Sequence, residues 1–352
     1  MNQSVITRIN TPKDLPLEHS DQVAPESKSI RLIYMGRIPG WQTQAVYHTV
    51  AEMMTEETPD TIIISQPADA YVCLGYHQQL NHVFNREACE KRNIPILRRK
   101  IGGGGTYLDS DQLFYQCVFH SSRIPAQSTK VYEQMLSPVV NTLNRFLDDK
   151  VNLVGSHEIE VNGKRIAGIG GGQIGEASVV VGNILFDFDF ESMAAVWNVP
   201  NELYRQLGRE AMADHIITLD EFDSELAMDR IADGLIEEYE NYFKRHLNPG
   251  GMNMEEIERA GQMGAFLKSE SFLNSAEDTK LAPPPLKISR DVFIHHEEYK
   301  LENELIAGSY RVESGKIHSL NFEPSQPEIE AALQGIWFKD RENQLNIANY
   351  KI

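Results

Sequence analysis

The sequence predicts a two-domain protein of mixed α/β structure. Helical patterns alternate with short apolar strand patterns through residues 30–247. Breaks rich in Pro and Gly, at 248–251 and 280–285, then precede a shorter stretch with hairpin-like strands. At 352 residues the chain is long enough for one large domain and a smaller companion.

The first part of the chain predicts these elements in order. Residues 1–29 are polar and aperiodic, so we expect a flexible N-terminal arm. Apolar residues at helical spacing predict a helix beginning at Trp41. Strand patterns follow at 61–65 and 70–75, and a helix is predicted over 83–92.

The middle of the chain carries a hairpin signal. Asn162-Gly163 separates two alternating segments, 158–161 and 164–168, and this dipeptide strongly favours a tight hairpin turn. A helix over 131–147 precedes it. A glycine-rich stretch and an apolar strand follow it, and helices are predicted at 190–196, 201–207 and 219–246.

The last part of the chain predicts a connector and a small domain. Residues 248–286 read as a linker with one helix, because breaks bound them on both sides. Residues 287–352 predict a small α+β domain, with strands at 287–288, 299–301, 305–313 and 316–322 and a helix at 327–333.

Composition excludes several classes of protein. A formal net charge of −18 argues against a nucleic-acid partner, because the polyanion would be repelled. The sequence shows neither a signal peptide nor an apolar run of membrane-spanning length, so we expect a cytoplasmic protein with no membrane partner. Cys73, Cys89 and Cys117 lack CxxC spacing, so neither a disulfide framework nor a metal site is predicted.

One segment stands out as a candidate binding site. The cations Arg98, Arg99 and Lys100 come directly before four glycines, Gly102–Gly105, and strand patterns lie on both sides. Glycines let backbone N–H groups approach an anion closely, and arginines pair with phosphate or carboxylate oxygens. The segment predicts a site for an acyl-phosphate, and the alternative is a flexible turn between two strands.

Four segments in this order resemble the lipoate–protein ligases of the biotin and lipoate ligase superfamily. They are Trp41-Gln42-Thr43-Gln44, Leu74-Gly75-Tyr76-His77-Gln78, Arg98-Arg99 with the glycines and Asp109, and Asn162-Gly163-Lys164-Arg165-Ile166-Ala167-Gly168. The resemblance implies a mixed-sheet catalytic domain over 30–247, followed over 287–352 by the accessory domain that lipoate ligases carry.

The resemblance also implies a reaction in two half-steps. Lipoate and ATP give lipoyl-AMP and pyrophosphate, and a lysine of a carrier protein then attacks the acyl carbon. The carrier would be a lipoyl domain or a protein like the H protein of glycine cleavage. Mg²⁺ is expected with ATP, bound through phosphates.

The resemblance assigns roles to residues of this chain. The catalytic candidates are Arg165, Lys164 and Arg99. The residues expected to bind lipoate, ATP or the adenylate are Arg98, Arg99, Gly102, Gly103, Gly104, Gly105, Thr106, Asp109, His77, Gly168, Gly171, Gly172 and Asn183. Asp109 is equally interpretable as a turn residue, and His77 as a surface histidine.

The hairpin departs from the family pattern. These ligases place a lysine where this chain has Arg165, and the lysine here is Lys164. Neighbouring strand residues point to opposite faces, so Lys164 cannot simply replace Arg165. Arginine keeps the charge but not the compact ammonium. An active ligase using Arg165, a weak lipoate or adenylate binder, and a shifted hairpin that uses Lys164 all stay open.

Three other functions compete with the ligase. An octanoyl or lipoyl transferase on the same scaffold needs a nucleophilic cysteine, and residues 151–157 before the hairpin contain none. A biotin ligase would share the chemistry but needs a pocket for the ureido ring. A non-enzymatic module would hold a lipoylated or acyl-adenylate species without producing pyrophosphate.

Overall fold

The computed structural model describes residues 29–276, 282–301 and 304–347. From the start to the hairpin region its elements are β1 Ser29–Ile38, α1 Gly40–Glu52, β2 Thr61–Pro67, β3 Tyr71–Leu74, α2 Leu80–Val83, α3 Arg86–Lys91, β4 Ile96–Arg98, β5 Thr106–Leu108, β6 Gln112–His120, α4 Ser128–Phe146, β7 Val151–Val154, β8 Glu158–Val161, β9 Lys164–Arg165, β10 Ala167–Ile174 and β11 Ala177–Leu185. The remaining elements are α5 Phe190–Ala195, α6 Glu202–His215, α7 Met228–Phe243, β12 His246–Gly250, α8 Met254–Leu267, α9 Glu270–Leu273, β13 Leu286–Ser289, β14 Val292–Leu301, β15 Glu304–Glu313, β16 Lys316–Glu323, α10 Pro327–Leu333 and α11 Arg341–Ile347.

The described chain divides into two compact units. Within the described residues, the first contains 29–78, 94–188 and 217–276, and the second contains 79–93, 189–216, 282–301 and 304–347. The predicted boundaries at 247 and 286 do not coincide with this division. Residues 248–276 of the predicted linker belong to the first unit, and two segments before residue 217 belong to the second.

A six-stranded mixed sheet forms the centre of the first unit, in the order β10-β11-β6-β2-β1-β12. Strand β1 runs parallel to β2 and β12, whereas β6, β11 and β10 pair antiparallel. Because alternate residues point to opposite faces, Ile62 and Ile64 join one core cluster with α4 and α7, and Ile63 joins another with α1. This architecture confirms the predicted mixed-sheet α/β fold.

Two small three-stranded sheets complete the first unit. One has the order β4-β3-β5 and the other β7-β8-β9. The second contains the predicted hairpin, and Asn162 and Gly163 both have positive φ, 53° and 77°. Positive φ at both positions is what the tight turn requires.

The structure corrects several predicted elements. After the glycine loop the chain forms strand β5 of a small sheet, and the sequence did not predict this strand. The glycine-rich stretch after the hairpin is part of β10. The helix predicted over 219–246 is a short 3₁₀ turn and then α7. The predicted break at residue 248 lies in β12, since Asn248 and Gly250 pair with Arg31 and Ile33 of β1.

The second unit has a four-stranded antiparallel sheet in the order β13-β14-β15-β16. Its apolar face includes Ile306, Tyr310 and Ile317, which pack with Leu333 of α10. The strands predicted at 287–288, 305–313 and 316–322 and the helix at 327–333 are confirmed, whereas the strand predicted at 299–301 begins earlier, at Val292. Of the predicted N-terminal arm, residues 1–28 lie outside the described residues, and Ser29 begins β1.

A buried carboxylate ties strand ends of the central sheet together. Asp60 is fully buried, and its oxygens accept from Arg123 at 3.0 Å, Arg245 at 2.6 Å and the His120 N–H at 2.9 Å. Arg245 also donates to the Ser29 carbonyl of β1 at 3.1 Å. Asp60 therefore joins β1, β2 and β6 by charged hydrogen bonds.

Replacing Asp60 tests this contribution. We expect Asp60→Asn to lower the free energy of unfolding by about 3–5 kcal/mol, because it leaves two arginines without their buried counterion. The exposed pair of Arg145 and Glu237 is the control, and Glu237→Gln should change stability by less than about 1 kcal/mol. Urea titration measures both, and equal losses would contradict the assignment.

Candidate functional site

The candidate site centres on the glycine loop, Gly102–Gly105, between β4 and β5. These strands flank β3, so both ends of the loop are fixed in one small sheet. Gly103 and Gly104 are exposed. The loop is therefore held by a rigid frame while its centre is open to a ligand.

Arg99 lies behind the glycine loop and holds its carbonyl groups. Its guanidinium donates to the Gly102 carbonyl at 3.1 and 3.2 Å, to Gly104 at 2.8 Å and to Cys73 of β3 at 3.2 Å. Only 6% of the Arg99 surface is exposed. The structure therefore gives Arg99 a role in shaping the loop and placing positive charge beneath it.

The orientation of these carbonyls fixes the orientation of the following N–H groups. In a trans peptide the C=O and the next N–H point in opposite directions. The Gly102 and Gly104 carbonyls point to Arg99, so the N–H groups of Gly103 and Gly105 point away from it. Within residues 29–276, 282–301 and 304–347 neither N–H has an acceptor. Both are available to an anionic oxygen, with a cation behind them.

The glycine-rich part of β10 contacts the glycine loop directly. The Gly102 N–H donates to the Gly171 carbonyl of β10 at 3.2 Å. A Cβ at Gly170 would lie 3.2 Å from the Gly102 oxygen, and one at Gly172 would lie 3.3 Å from Ile101. The loop thus packs against the edge strand β10 of the central sheet. Side chains in place of these glycines would prevent this close approach.

Arg98 is surrounded by backbone carbonyl groups. It is fully buried, and it donates to the carbonyls of Tyr76 at 2.9 Å, Gln78 at 2.7 Å and Leu273 at 3.2 Å. These contacts organise residues 75–78, whose Gly75 directly abuts the Gly103 carbonyl. Arg98 therefore positions backbone, and direct contact with a ligand stays a prediction.

His48 is a contributor that the sequence analysis missed. It is fully buried, with Nδ1 2.6 Å from the Gln44 carbonyl and Nε2 accepting the Lys100 N–H at 2.9 Å. Nδ1 therefore carries the proton. Burial lowers the pKa of His48 to about 3. The neutral ring fixes the backbone just before the glycine loop, and no local signal distinguishes it from other helix residues.

Asp109 and Asn183 are connected by hydrogen bonds through the side chain of Gln112. Asp109 accepts from the Asp111 N–H at 3.0 Å and from Gln112 at 3.2 Å, and Asn183 donates to Gln112 at 2.7 Å. The turn interpretation of Asp109 is therefore supported. The Asn183 side chain also fills the space beside Gly168, where a Cβ would lie 2.5 Å from Asn183 Oδ1.

The hairpin presents Lys164 and Arg165 on opposite sides. Lys164 pairs with buried Val161, and Arg165 pairs with Glu160. Both cations are half-buried. Burial lowers the pKa of Arg165, while Glu158 and Glu160 oppose this shift by their charge. Arg165 therefore lies among carboxylates, three residues before Gly168.

Three other residues border this region. His77 is exposed and its ring meets Tyr76 edge-on at 5.0 Å between centroids, so a ligand contact for His77 stays a prediction. Thr106 begins β5, opposite Cys73. Tyr132 of α4, which the sequence analysis missed, has its hydroxyl 2.6 Å from the position of a Gly171 Cβ.

The three cysteines are poor nucleophiles. Cys73, Cys89 and Cys117 are all buried. Burial raises the pKa of Cys117 to about 12 and that of Cys89 to about 11, and it also raises the pKa of Cys73. A thioester intermediate needs an accessible thiolate, and these thiols do not supply one.

Two further properties concern the described residues alone. None of their helices combines the length and apolar character needed to cross a bilayer. No group of three or more His, Cys, Asp or Glu side chains among them is arranged to hold a metal ion.

Residues 40–240 match the model of the lipoyl protein ligase A/B catalytic domain. This match covers more than half of the chain, so the chain belongs to that family. A probable lipoate-protein ligase A of Mycoplasma genitalium is 25% identical over 173 residues, 49% of this chain and 50% of the relative. An octanoyltransferase LipM of Kyrpidia tusciae is 24% identical over 240 residues, 61% of this chain and 87% of the relative.

Solved structures of the family share the fold. A bi-partite lipoate protein ligase of Thermoplasma acidophilum, studied with its E2 lipoyl domain, has a TM-score of 0.64 at 19% identity and covers 73% of this chain and 100% of its own. A lipoate-protein ligase A bound with ATP has a TM-score of 0.59 at 20% identity, covering 71% and 100%. The chain spans about half the length of the Mycoplasma ligases it matches.

The depressed pKa of His48 gives a pH prediction. The unfolded chain binds this proton below about pH 6.5 and the folded chain only below about pH 3, so stability falls as pH falls through this window. For each unit by which the pH falls, we expect the free energy of unfolding of the wild type to decrease by up to about 1.4 kcal/mol more than that of His48→Gln. Denaturant titrations between about pH 6 and pH 4 measure this, with exposed His246→Gln as control. Parallel curves for the wild type and His48→Gln would contradict it.

Proposed function

We propose that the chain is an ATP-dependent lipoate–protein ligase. The observation that carries the proposal is the glycine loop, where the N–H groups of Gly103 and Gly105 point outward and the Arg99 guanidinium lies behind them. Membership of the lipoyl ligase family and likeness to a ligase described as bound with ATP support it.

In the first half-step the lipoate carboxylate attacks the α-phosphorus of ATP, and pyrophosphate leaves. Both reactants are anions, so the enzyme must offset their repulsion by fixed donors and positive charge. The Gly103 and Gly105 N–H groups are placed to bind the mixed anhydride, and Arg99 adds positive potential without leaving the loop. Mg²⁺ would be held chiefly by phosphate oxygens.

In the second half-step a lysine amine of a carrier protein attacks the acyl carbon, and AMP leaves. The same N–H groups would stabilise the oxyanion that forms on the acyl carbonyl. A lipoyl domain or an H-like protein is the proposed carrier, and the Thermoplasma ligase studied with an E2 lipoyl domain supports this class. The cytoplasmic location stays a prediction.

Arg165 is the proposed phosphate-binding cation of the hairpin. Its guanidinium keeps its charge at any physiological pH and can pair with two phosphate oxygens. Glu158 and Glu160 partly neutralise it. We expect the bound anion to compete with these carboxylates, so binding at this position is weaker than for an unpaired cation.

An octanoyl or lipoyl transferase is the second candidate. A relative named octanoyltransferase LipM, of which this chain covers 87%, favours it. The burial and raised pKa values of all three thiols disfavour it, because the acyl group would have to be carried on a cysteine.

One assay separates these functions. The full chain is incubated with lipoate, ATP, Mg²⁺ and apo lipoyl domain, and pyrophosphate and carrier mass are measured. The ligase should release pyrophosphate and add a lipoyl group. A transferase would modify the carrier from an octanoyl- or lipoyl-carrier donor without ATP, and a binder would do neither. Lack of pyrophosphate and of lipoyl-carrier with ATP present would refute the ligase.

Two glycine substitutions test the loop. Gly103 has φ of 110°, and its Cβ would lie 2.5 Å from Arg99 Nη2, whereas the Cβ of Gly104 would meet no atom within 4 Å. We expect Gly103→Ala to reduce kcat/KM for pyrophosphate release on the order of 100-fold, as loss of an oxyanion donor does. Gly104→Ala is the matched variant and should lose less than about tenfold. Similar losses in both would be evidence against the assigned geometry.

Arg165 has a separate test. We expect Arg165→Gln to raise KM for ATP by at least about tenfold, because a phosphate contact is lost, and Arg165→Lys to keep most of the affinity. Initial rates at varied ATP measure this. If Arg165→Gln behaves like the wild type, the hairpin arginine does not bind phosphate.

A further inference from the structure

Helices α8 and α9 lie beyond residue 240, where the family match ends, in a segment that the sequence predicts to be a linker. They instead belong to the first unit, where α8 packs on α1. Gly264 of α8 directly abuts the Trp41 ring of α1, and Lys268 lies 5.1 Å from the centre of that ring. Met263, Leu267 and Phe272 share a core cluster with Leu97 of β4.

The end of α9 holds Arg98. The Leu273 carbonyl accepts from Arg98 Nε at 3.2 Å, and the Phe272 ring lies 6.0 Å from the guanidinium carbon. The same guanidinium binds the carbonyls of Tyr76 and Gln78. The Tyr76 N–H in turn donates to the Ile101 carbonyl at 3.0 Å, next to the glycine loop. A continuous set of contacts thus joins α9 to the loop.

Helix α8 contacts Lys100 and its ion-pair partner Glu52, on the other side of Arg99. The Lys100 ammonium pairs with Glu52 and lies 5.1 Å from the centre of the Phe266 ring. Arg259 of α8 pairs with the other oxygen of Glu52 at 2.7 Å. Phe266 also stacks on Phe272, with 4.4 Å between ring centroids. The cations before and after Arg99 are therefore both in contact with this helix pair.

We propose that α8 and α9 form a positioning element of the glycine loop, which acts by fixing Arg98 and Lys100 on either side of Arg99. The Leu273 carbonyl accepts from Nε of Arg98, and a buried guanidinium that loses an acceptor is destabilised. Loss of the aromatic contacts of α8 and α9 therefore loosens residues 75–78 and 99–102 together. The catalytic consequence rests on the proposed ligase function, whereas the structural consequence does not.

Hydrogen exchange in the ligand-free full chain tests the positioning element without any assay of activity. The reporters are the backbone N–H groups of Tyr76, Arg99, Lys100 and Gly102, which donate at 2.9–3.2 Å. Phe272→Ala should speed their exchange at least about tenfold, and Phe266→Ala, which removes a half-exposed ring from Lys100, about two- to fivefold. Amides of α4 and α7 should keep their protection.

Ile257→Ala is the matched control, since this α8 side chain is 53% exposed. It should leave the reporters unchanged. If Phe272→Ala fails to fold, Phe266→Ala decides the matter. Reporter exchange at the wild-type rate in Phe266→Ala, or a uniform rise that includes α4 and α7, overturns the proposal. Activity is measured separately. Both phenylalanine variants should lower kcat for pyrophosphate release more than they raise KM for ATP. A variant with altered kcat but wild-type exchange also overturns the proposal.

Discussion

The contact between Arg99 and the carbonyls of the glycine loop is the constraint on which the site depends. One guanidinium holds Gly102, Gly104 and Cys73 through four hydrogen bonds of 2.8–3.2 Å. Planar trans peptides convert this inward orientation of carbonyls into an outward orientation of N–H groups. Arg99 therefore both fixes the shape of the loop and supplies its positive charge. No arginine has to move in order to contact the ligand.

The surroundings of Arg99 hold it in place from several sides. Gly171 of β10 accepts the Gly102 N–H, His48 accepts the Lys100 N–H, and Arg98 fixes the neighbouring backbone near Gly75. Each partner is uncharged or has its charge surrounded by acceptors, which limits the cost of burial. A rigid loop of this kind is preorganised, so little reorganisation accompanies the binding of an anion.

The sequence predicts the helices and strands better than the contacts between them. Local patterns identified α1, β2, β6, α4, the Asn162-Gly163 hairpin and the glycine loop, because periodicity and turn chemistry are local. They missed β5 and β12, which are short or contain Pro249, and took residues 248–286 for a linker. The contacts of Gly102 with Gly171, of His48 with Lys100 and of Leu273 with Arg98 join residues 52–175 positions apart, and no local pattern encodes them.

The proposed ligase binds the mixed anhydride of an acyl group and AMP through the outward N–H groups of the glycine loop. The most direct measurement is an amide NMR titration of glycine-labelled full chain with a non-hydrolysable sulfamate analogue of lipoyl-AMP. We expect the Gly103 and Gly105 amides to show the largest downfield shifts among the 24 glycines. Binding that leaves these two amides unshifted, or that shifts other glycines instead, would contradict it.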